Sequence, residues 1–314
     1  MLKKERIKNR KGRGFCPGSD FQHWNAVLAS KYPEILLRNK NDRIAFPKPQ
    51  AFAVLRVCTG FNRMTDLTNI LLLDAGNTSV KWKLGSAGEL HRCEAINIAG
   101  LELWMREHIS EIKSLALSSV QGKEWNATLQ SICSELGMPL WVAQSELENS
   151  GLTCGYHEPV NLGVDRWLAM LALWQRQKSG FLLVDMGSAI TLDAVDDKGR
   201  HLGGYILPGL EMQRRALMAT SESIGILLAG EADFRFGLGL DTSEAIDRGI
   251  FISVEAMVEK VLNNTGLSQD QLVIIGGDAR WFIENTEINN QNIDLVIQGL
   301  AICYSQKLEA GELT

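Results

Sequence analysis

Two stretches of this chain end an apolar run in an aspartate, skip one residue, place a glycine and follow it with hydroxyl side chains. The first is ILLLDAGNTSVKWKL, Ile70 to Leu84, and the second is FLLVDMGSAITLDAV, Phe181 to Val195. A plain turn needs glycine or asparagine, but not this combination twice. In the first stretch, Gly76 lets the backbone turn sharply and approach a ligand without a Cβ. Backbone N–H groups in such a turn form an anion-binding concavity. Asn77, Thr78 and Ser79 add donors, Lys81 adds positive charge, and Asp74 at the strand end can hold a metal ion or its water against a phosphate. In the second stretch, Asp185 and Gly187 keep the pattern and Ser188 supplies the hydroxyl. Together these residues point to phosphate binding. Either copy alone is equally well a hairpin with a polar turn, and the repetition counts against that.

A third candidate is GYHEPVNLGVDRWLAMLALW, where Asp165 and Arg166 stand at the entry of a loop into a helix. In isolation Asp165 is as well explained as an N-terminal cap. Phosphoryl transfer supplies the other reading. Its loose transition state needs positioning, charge neutralisation and a carboxylate that accepts the proton of the attacking hydroxyl. Arg166 could grip a carboxylate or phosphate with two parallel N–H donors. After the apolar run LVII, the residues Gly276, Gly277, Asp278 and Ala279 fit a floor for a flat base such as adenine, though glycines at a strand end are also common as plain turns. In GRHLGGYILPGLEM, Gly203 and Gly204 permit close backbone packing and Pro208-Gly209 sets a helix start, a favoured place for phosphate. Other nucleotide and metal signatures are absent: there is no GxxxxGK[ST], GLGLDT at Gly237 lacks the last glycine of GxGxxG, and no HExxH occurs. The five histidines have no metal-ligand spacing and read as ordinary surface or core residues.

Strands and helices must position these groups. Ile70–Leu73 and Val80–Leu84 read as paired strands, as do Phe181–Asp185 and Ala189–Val195. SLALSSV, LWVAQ and LVII read as further strands. Helices are expected over Leu101–Lys113, Lys123–Leu136, Asp165–Lys178, Glu211–Ala219, Thr242–Asn263 and Asn292–Glu309. Strands alternating with helices give an α/β class. The Asp-x-Gly unit recurs after 111 residues, from Asp74 to Asp185, so two similar halves are expected, residues 67–178 and 179–310.

The 314-residue chain is 45% hydrophobic and 22% charged with a net charge of −5, which gives no reason to expect a nucleic-acid partner. Residues 1–63 carry 14 Lys and Arg against 4 Asp and Glu. They show no sustained periodicity and read as a basic, disordered extension, with an anchor for an acidic partner as the alternative. Met64 opens a stretch that looks like an ordinary cytoplasmic start. The six cysteines form no CxxC pair, which fits free thiols in a reducing cytoplasm. No apolar run reaches the ~18 residues that span a bilayer, so no membrane partner is expected.

The two halves resemble the acetate and sugar kinase/heat-shock protein 70/actin superfamily, whose duplicated ribonuclease-H-like domains bracket ATP. Within it, the ordered series DAGNTSVK, LGVDRW, DMGSAIT, GGYILPG, DTSEAI and IIGGDA resembles type III pantothenate kinase, from Leu67 to near Leu308. The resemblance implies that Asp74, Ala75, Gly76, Asn77, Thr78, Ser79, Val80 and Lys81 bind ATP, with Ser188 touching it and Gly276, Gly277, Asp278 and Ala279 holding the adenine. It implies that Asp165 is the catalytic proton acceptor, and that Tyr156, Gly163, Val164, Asp165 and Arg166 line the pantothenate site. Asp185 would hold a monovalent cation, K+ or NH4+, and Mg2+ would bridge the ATP phosphates. Thr242 matches a substrate-contacting threonine. The resemblance further implies a homodimer in which the helix after Thr242 packs on a partner through Ala245, Ile246, Ile250, Val254, Met257, Val258 and Val261, and Thr242 reaches the partner's pocket. The bland alternative makes that helix internal core. The family usually has threonine where this chain has Ser188, and residues 1–63 lie outside its pattern. The rival functions are another small-molecule kinase of the superfamily and a non-catalytic accessory factor for transcription.

Overall fold

The computed structural model describes residues 67–95, 97–219, 232–285 and 294–313. The expected basic extension and the start at Met64 lie outside them.

Ile70–Ala75 forms β1, buried along its whole length. A strand covered on both faces needs a continuous apolar run rather than alternation, and ILLL supplies one. β2 (Ser79–Leu84) alternates, burying Val80 and Trp82 while Ser79, Lys81 and Lys83 are less covered. β3 (His91–Glu94), β4 (Ser114–Ser119) and β5 (Leu140–Val142) complete a five-stranded sheet in the order β3-β2-β1-β4-β5. The hairpin β6–β7 (Glu148–Asn149, Leu152–Thr153) stands apart. The second sheet holds β8 (Phe181–Met186), β9 (Ala189–Val195), β10 (His201–Pro208) and β11 (Leu272–Ile275), in the order β10-β9-β8-β11.

The two sheets share one plan. β1 pairs antiparallel with β2 and parallel with β4; β8 pairs antiparallel with β9 and parallel with β11. β3 and β10 extend each hairpin by one more antiparallel strand. The fold is α/β and doubled, as expected from the repeated motif.

The helices are α1 (Ile98–Glu107), α2 (Lys123–Glu135), α3 (Val164–Gln177), α4 (Leu210–Met218), α5 (Thr242–Thr265), α6 (Ala279–Asn285) and α7 (Leu295–Glu309). α1 begins earlier than expected because the Asn97 side chain accepts the Gly100 N–H, and it ends at Glu107, with His108 as its cap, rather than at Lys113. Three layers of core separate the elements. α1 and α2 cover the outer face of the first sheet, and α4, α5 and α6 cover the outer face of the second. α3 and α7 lie between, packed with Leu72 and Ala116 of one sheet and Phe181 and Leu183 of the other. That middle position explains why α3 is buried almost all round, from Arg166 to Trp174. Gly299 of α7 allows the close approach of the two helices, since a Cβ there would lie 2.1 Å from the Leu168 carbonyl oxygen. The last helix also reaches the first sheet: Ser114 Oγ and Tyr304 OH are hydrogen-bonded at 2.6 Å.

Ile250, Val254, Val258 and Val261 of α5 are buried in the core of the second sheet. This corrects the expectation that this face meets a partner: it is turned inward. The side of α5 left outward carries Ala245, Gly249, Ile252 and Ala256.

Candidate active site

Asp74 sits near the end of β1 in a row of three residues. Lys81 of β2 lies opposite it on one side and Ser118 of β4 on the other. The Ser118 hydroxyl donates to Asp74 Oδ1 at 3.2 Å. Asp74 is only 8% exposed, and burial pushes its carboxyl up to about 7 despite the pull of Lys81, with Asp165 and Asp185 adding to the rise. A buried carboxylate loses hydration that one ammonium does not replace. Asp185 holds the same place on β8, between Thr191 of β9 and Ile275 of β11. Burial pushes it up to about 6, Lys81 opposes, and Asp165 and Asp193 add to it. Asp165 is likewise raised, first by burial, against the backbone N–H of Arg166 and the Arg166 charge. Asp74 and Asp185, from the two sheets, therefore both feel the charge of Lys81 and of Asp165.

The turns that follow the two aspartates meet. Thr78 Oγ1 and Ser188 Oγ share a short hydrogen bond, so the last loop residue of each hairpin touches the other. Gly76 is held from below by the Gln121 side chain, which donates to its carbonyl. Gly276, at φ +100°, lies against the second turn, where a Cβ would come 2.6 Å from Asp185 Oδ1 and 2.4 Å from the Met186 carbonyl oxygen. The Asp278 N–H donates to that same carbonyl at 3.0 Å. Above Gly277 there is nothing within 4 Å of a built Cβ, so the turn has an open face. Beside it lies a cleft of ≈ 510 Å³ lined by Phe234, Asp278, Arg280 and Trp281 among others.

Val164 begins α3, with Gly163 as its cap residue. Asp165 is thus not the cap but the second helical residue, with Oδ1 accepting the Arg166 N–H at 2.8 Å. An acid in the first turn gains from the helix dipole. Arg166 turns inward and is clamped by Asp193 of β9: Nε donates to Oδ2 at 2.9 Å and Nη2 to Oδ1 at 2.6 Å. Its Nη1 donates to Tyr156 OH at 2.9 Å.

The structure therefore brings together Asp74, Thr78, Lys81, Asp165, Asp185, Ser188 and the Gly276–Asp278 turn, with Tyr156 joined through Arg166. Ala75, Val80, Val164 and Ala279 are buried in the cores, so only their backbone faces the site. Thr242 is not brought in. It opens α5 as an exposed residue behind the Asp241 cap, whose side chain accepts the Glu244 N–H. Asp193 and His201 were missed by sequence reasoning. A lone aspartate in the strand ITLDAV was a signal, since a carboxylate in a buried strand needs a partner; His201 carried none. Among the described residues, no three His, Cys, Asp or Glu side chains are placed to hold a metal ion by themselves, and no helix is long and apolar enough to cross a membrane.

Comparison with known proteins agrees with this geometry. The family model of type III pantothenate kinase matches residues 70–264. A type III pantothenate kinase of Marinobacter nauticus is 38% identical over 216 residues, covering 67% of this chain and 88% of that protein. One from Acinetobacter baumannii is 33% identical over 241 residues, covering 73% and 95%. A Campylobacter jejuni structure described as a Baf family transcriptional activator superposes with a TM-score of 0.54 at 19% identity, covering 77% of this chain and all of that one; at that identity the likeness shows the fold.

Proposed function

The chain belongs to the type III pantothenate kinase family, and on that premise we propose the role of each group in its site. The reaction is transfer of the γ-phosphoryl group of ATP to the primary hydroxyl of pantothenate, giving 4′-phosphopantothenate and ADP, the first step towards coenzyme A. The observation that carries the assignment is the meeting of both Asp-x-Gly turns, through Thr78 and Ser188, beside the Asp165 carboxylate. The turns offer backbone N–H groups to the phosphates, Lys81 offsets their charge, and the Gly276–Ala279 turn receives the adenine. Tyr156, Gly163, Val164 and Arg166 form the pantothenate side.

Asp165 accepts the hydroxyl proton as the oxygen attacks phosphorus and the bond to ADP breaks. Burial raises its pKa, which makes the carboxylate a better proton acceptor than an ordinary surface aspartate. Asp74, Asp165 and Asp185 carry more negative charge than Lys81 can offset, and ATP adds more. This donor set suits hard cations held jointly with phosphate oxygens rather than in an all-protein cage. Asp74 would help hold Mg2+, and Asp185 a potassium or ammonium ion. Either cation supplies charge neutralisation at the transferring group.

The chain acts as a homodimer in this reading. Leu238 and Leu240, 89% and 91% exposed, precede Thr242, and the outward side of α5 offers small residues to a second copy. Light scattering at the mass of a monomer would reject it. The free Cys93, Cys133, Cys154 and Cys303 fit a cytoplasmic setting. A purely regulatory role is disfavoured, because a regulator has no need of a half-buried carboxylate base beside two phosphate turns.

Asp165→Asn tests the assignment. Turnover should fall about 10²–10⁴-fold, the usual share of general-base catalysis, while ATP binding by titration calorimetry stays near wild type. Unchanged turnover would remove Asp165 from the mechanism.

A further inference from the structure

Behind Arg166 lies a chain of contacts that the reaction scheme does not use. Asp193, 1% exposed, binds the Arg166 guanidinium through two hydrogen bonds. His201, 3% exposed, has Nε2 at 2.9 Å from the same Asp193 Oδ1. Its Nδ1 accepts the Gly155 N–H at 3.4 Å. That fixes the tautomer: Nδ1 is the acceptor, so Nε2 carries the hydrogen and donates to Asp193. The His201 ring lies parallel to Tyr156, with centroids 6.0 Å apart and planes at 13°, and the Tyr156 hydroxyl accepts from Arg166 Nη1. The contacts close a ring from Gly155 through His201, Asp193 and Arg166 to Tyr156.

The backbone makes room for this arrangement. Gly204 stands opposite Asp193 in the β9–β10 ladder. A Cβ there would lie 2.6 Å from Asp193 Oδ1 and 2.8 Å from Arg166 Nη2. A side chain at that place would press on the Leu192 carbonyl oxygen as well as on the ion pair, and the glycine leaves room for both.

A buried ion pair is a weak source of stability, because desolvation offsets most of its attraction. An apolar pair of equal volume would hold β9 to α3 as well. What the pair does that an apolar one cannot is fix the plane of a guanidinium. Arg166 has five N–H donors; three are engaged, and one on each terminal nitrogen is left. Arg166 adjoins Asp165 in the chain, so its orientation bears on the substrate side of the site. We propose that Asp193 and His201 are positioning residues for pantothenate, holding Arg166 so that its two remaining donors meet the substrate. The proposal rests on the assignment of Arg166 to the pantothenate site.

The experiment measures steady-state kinetics in both substrates, with thermal melting, on the full chain and four variants. His201→Phe keeps a ring against Tyr156 and loses the donor. His201→Gln keeps an N–H donor. Asp193→Asn removes the charge, and Arg166→Gln removes the guanidinium. The expected result is a rise of about tenfold or more in pantothenate KM for His201→Phe and Asp193→Asn, the usual effect of losing a charged hydrogen bond, with ATP KM within about twofold. His201→Gln should recover most of that loss. Equal changes in both KM values, or a lowered melting temperature with both KM values intact, would make the network structural and overturn the proposal. If Arg166→Gln leaves pantothenate KM unchanged, the assignment of Arg166 itself fails. If Arg166→Gln raises it and the His201 and Asp193 variants do not, only the positioning role fails. Should His201→Phe not fold, Asp193→Asn set against His201→Gln decides the same question.

Discussion

Across the ladder from Asp74 stands Lys81; across from Asp185, at the matching place in the second hairpin, stands Thr191. The hairpins otherwise correspond closely. Each aspartate lies on the first strand of an antiparallel hairpin, each glycine N–H donates to a carbonyl just past its turn at 3.1 Å, and each turn ends in a hydroxyl residue. The first turn is one residue longer, Gly76–Thr78 against Gly187–Ser188. Duplication thus kept the backbone device and let the charge diverge. One half brings its own cation, while the other presents a carboxylate whose neutralisation must come from elsewhere. Even so, Asp74 is pushed higher than Asp185, because it is more deeply buried and the pull of Lys81 does not make up the loss of water.

That difference sets the largest expected effect. Both carboxyls have folded pKa values above the unfolded value of 3.8. The native state therefore holds more protons than the unfolded chain between pH 3.8 and about 7 for Asp74, and stability falls as pH rises through that window. Without nucleotide or magnesium, Asp74→Asn should stabilise the protein at pH 8 by up to about 4 kcal/mol and by little near pH 4. Asp185→Asn should gain less, up to about 3 kcal/mol, with its window closing near pH 6. Thermal melting of both variants across pH tests this. Equal gains at pH 4 and pH 8 would show that burial of charge is not what the aspartates contribute.

Lys81→Thr makes the first hairpin like the second. It removes the ammonium that opposes the rise of both Asp74 and Asp185. ATP KM should rise about 10- to 100-fold, the range of one lost charged hydrogen bond, with pantothenate KM little changed. An unaltered ATP KM would separate Lys81 from the phosphates and leave the asymmetry without a function.

The second hairpin's lack of a lysine predicts dependence on an added cation. Replacing potassium by sodium should lower activity about tenfold, roughly 1.4 kcal/mol, and Asp185→Ala should lose the difference between the two ions. If the wild type works equally in both, the cation assignment of Asp185 falls and Thr191 is merely a strand residue.

Much of this comparison was legible in the sequence. Asp-x-Gly after an apolar run specifies a strand and its turn locally, so β1, β2, β8 and β9 lie where the pattern places them. The helix Lys123–Glu135 was legible too, because a breaker bounds it: Gly137 follows it at φ +64°. Partners separated by long stretches of chain were not legible. Nothing near Arg166 says that Asp193, 27 residues on, will clamp it, or that the Tyr304 hydroxyl will bond Ser114 across 190 residues. The facing of α5 was misread for a related reason. Its apolar residues, Ile250 to Val261, give a face but not what covers it, and the second sheet outbid a partner for it.

The smallest effect concerns the residues that end the two turns. Thr78 and Ser188 are both exposed, and their hydroxyls bond each other. An exposed neutral hydrogen bond contributes at the low end of about 0.5–1.5 kcal/mol, so Ser188→Ala should raise ATP KM only about two- to threefold. Ser188→Thr keeps the hydroxyl and makes the two turns end alike. The added methyl stiffens χ1 at the residue that leads into β9, and Ser188 has solvent on its open side. The Gly209 N–H, which donates to the Ser188 carbonyl at 3.0 Å, is a backbone contact that the substitution leaves in place. ATP KM should therefore stay within about twofold of wild type, since one methyl at an exposed site changes little. A tenfold loss in Ser188→Thr would mean that the shorter second turn cannot hold a branched side chain. Serine there would then be required by the missing loop residue rather than being a neutral exchange.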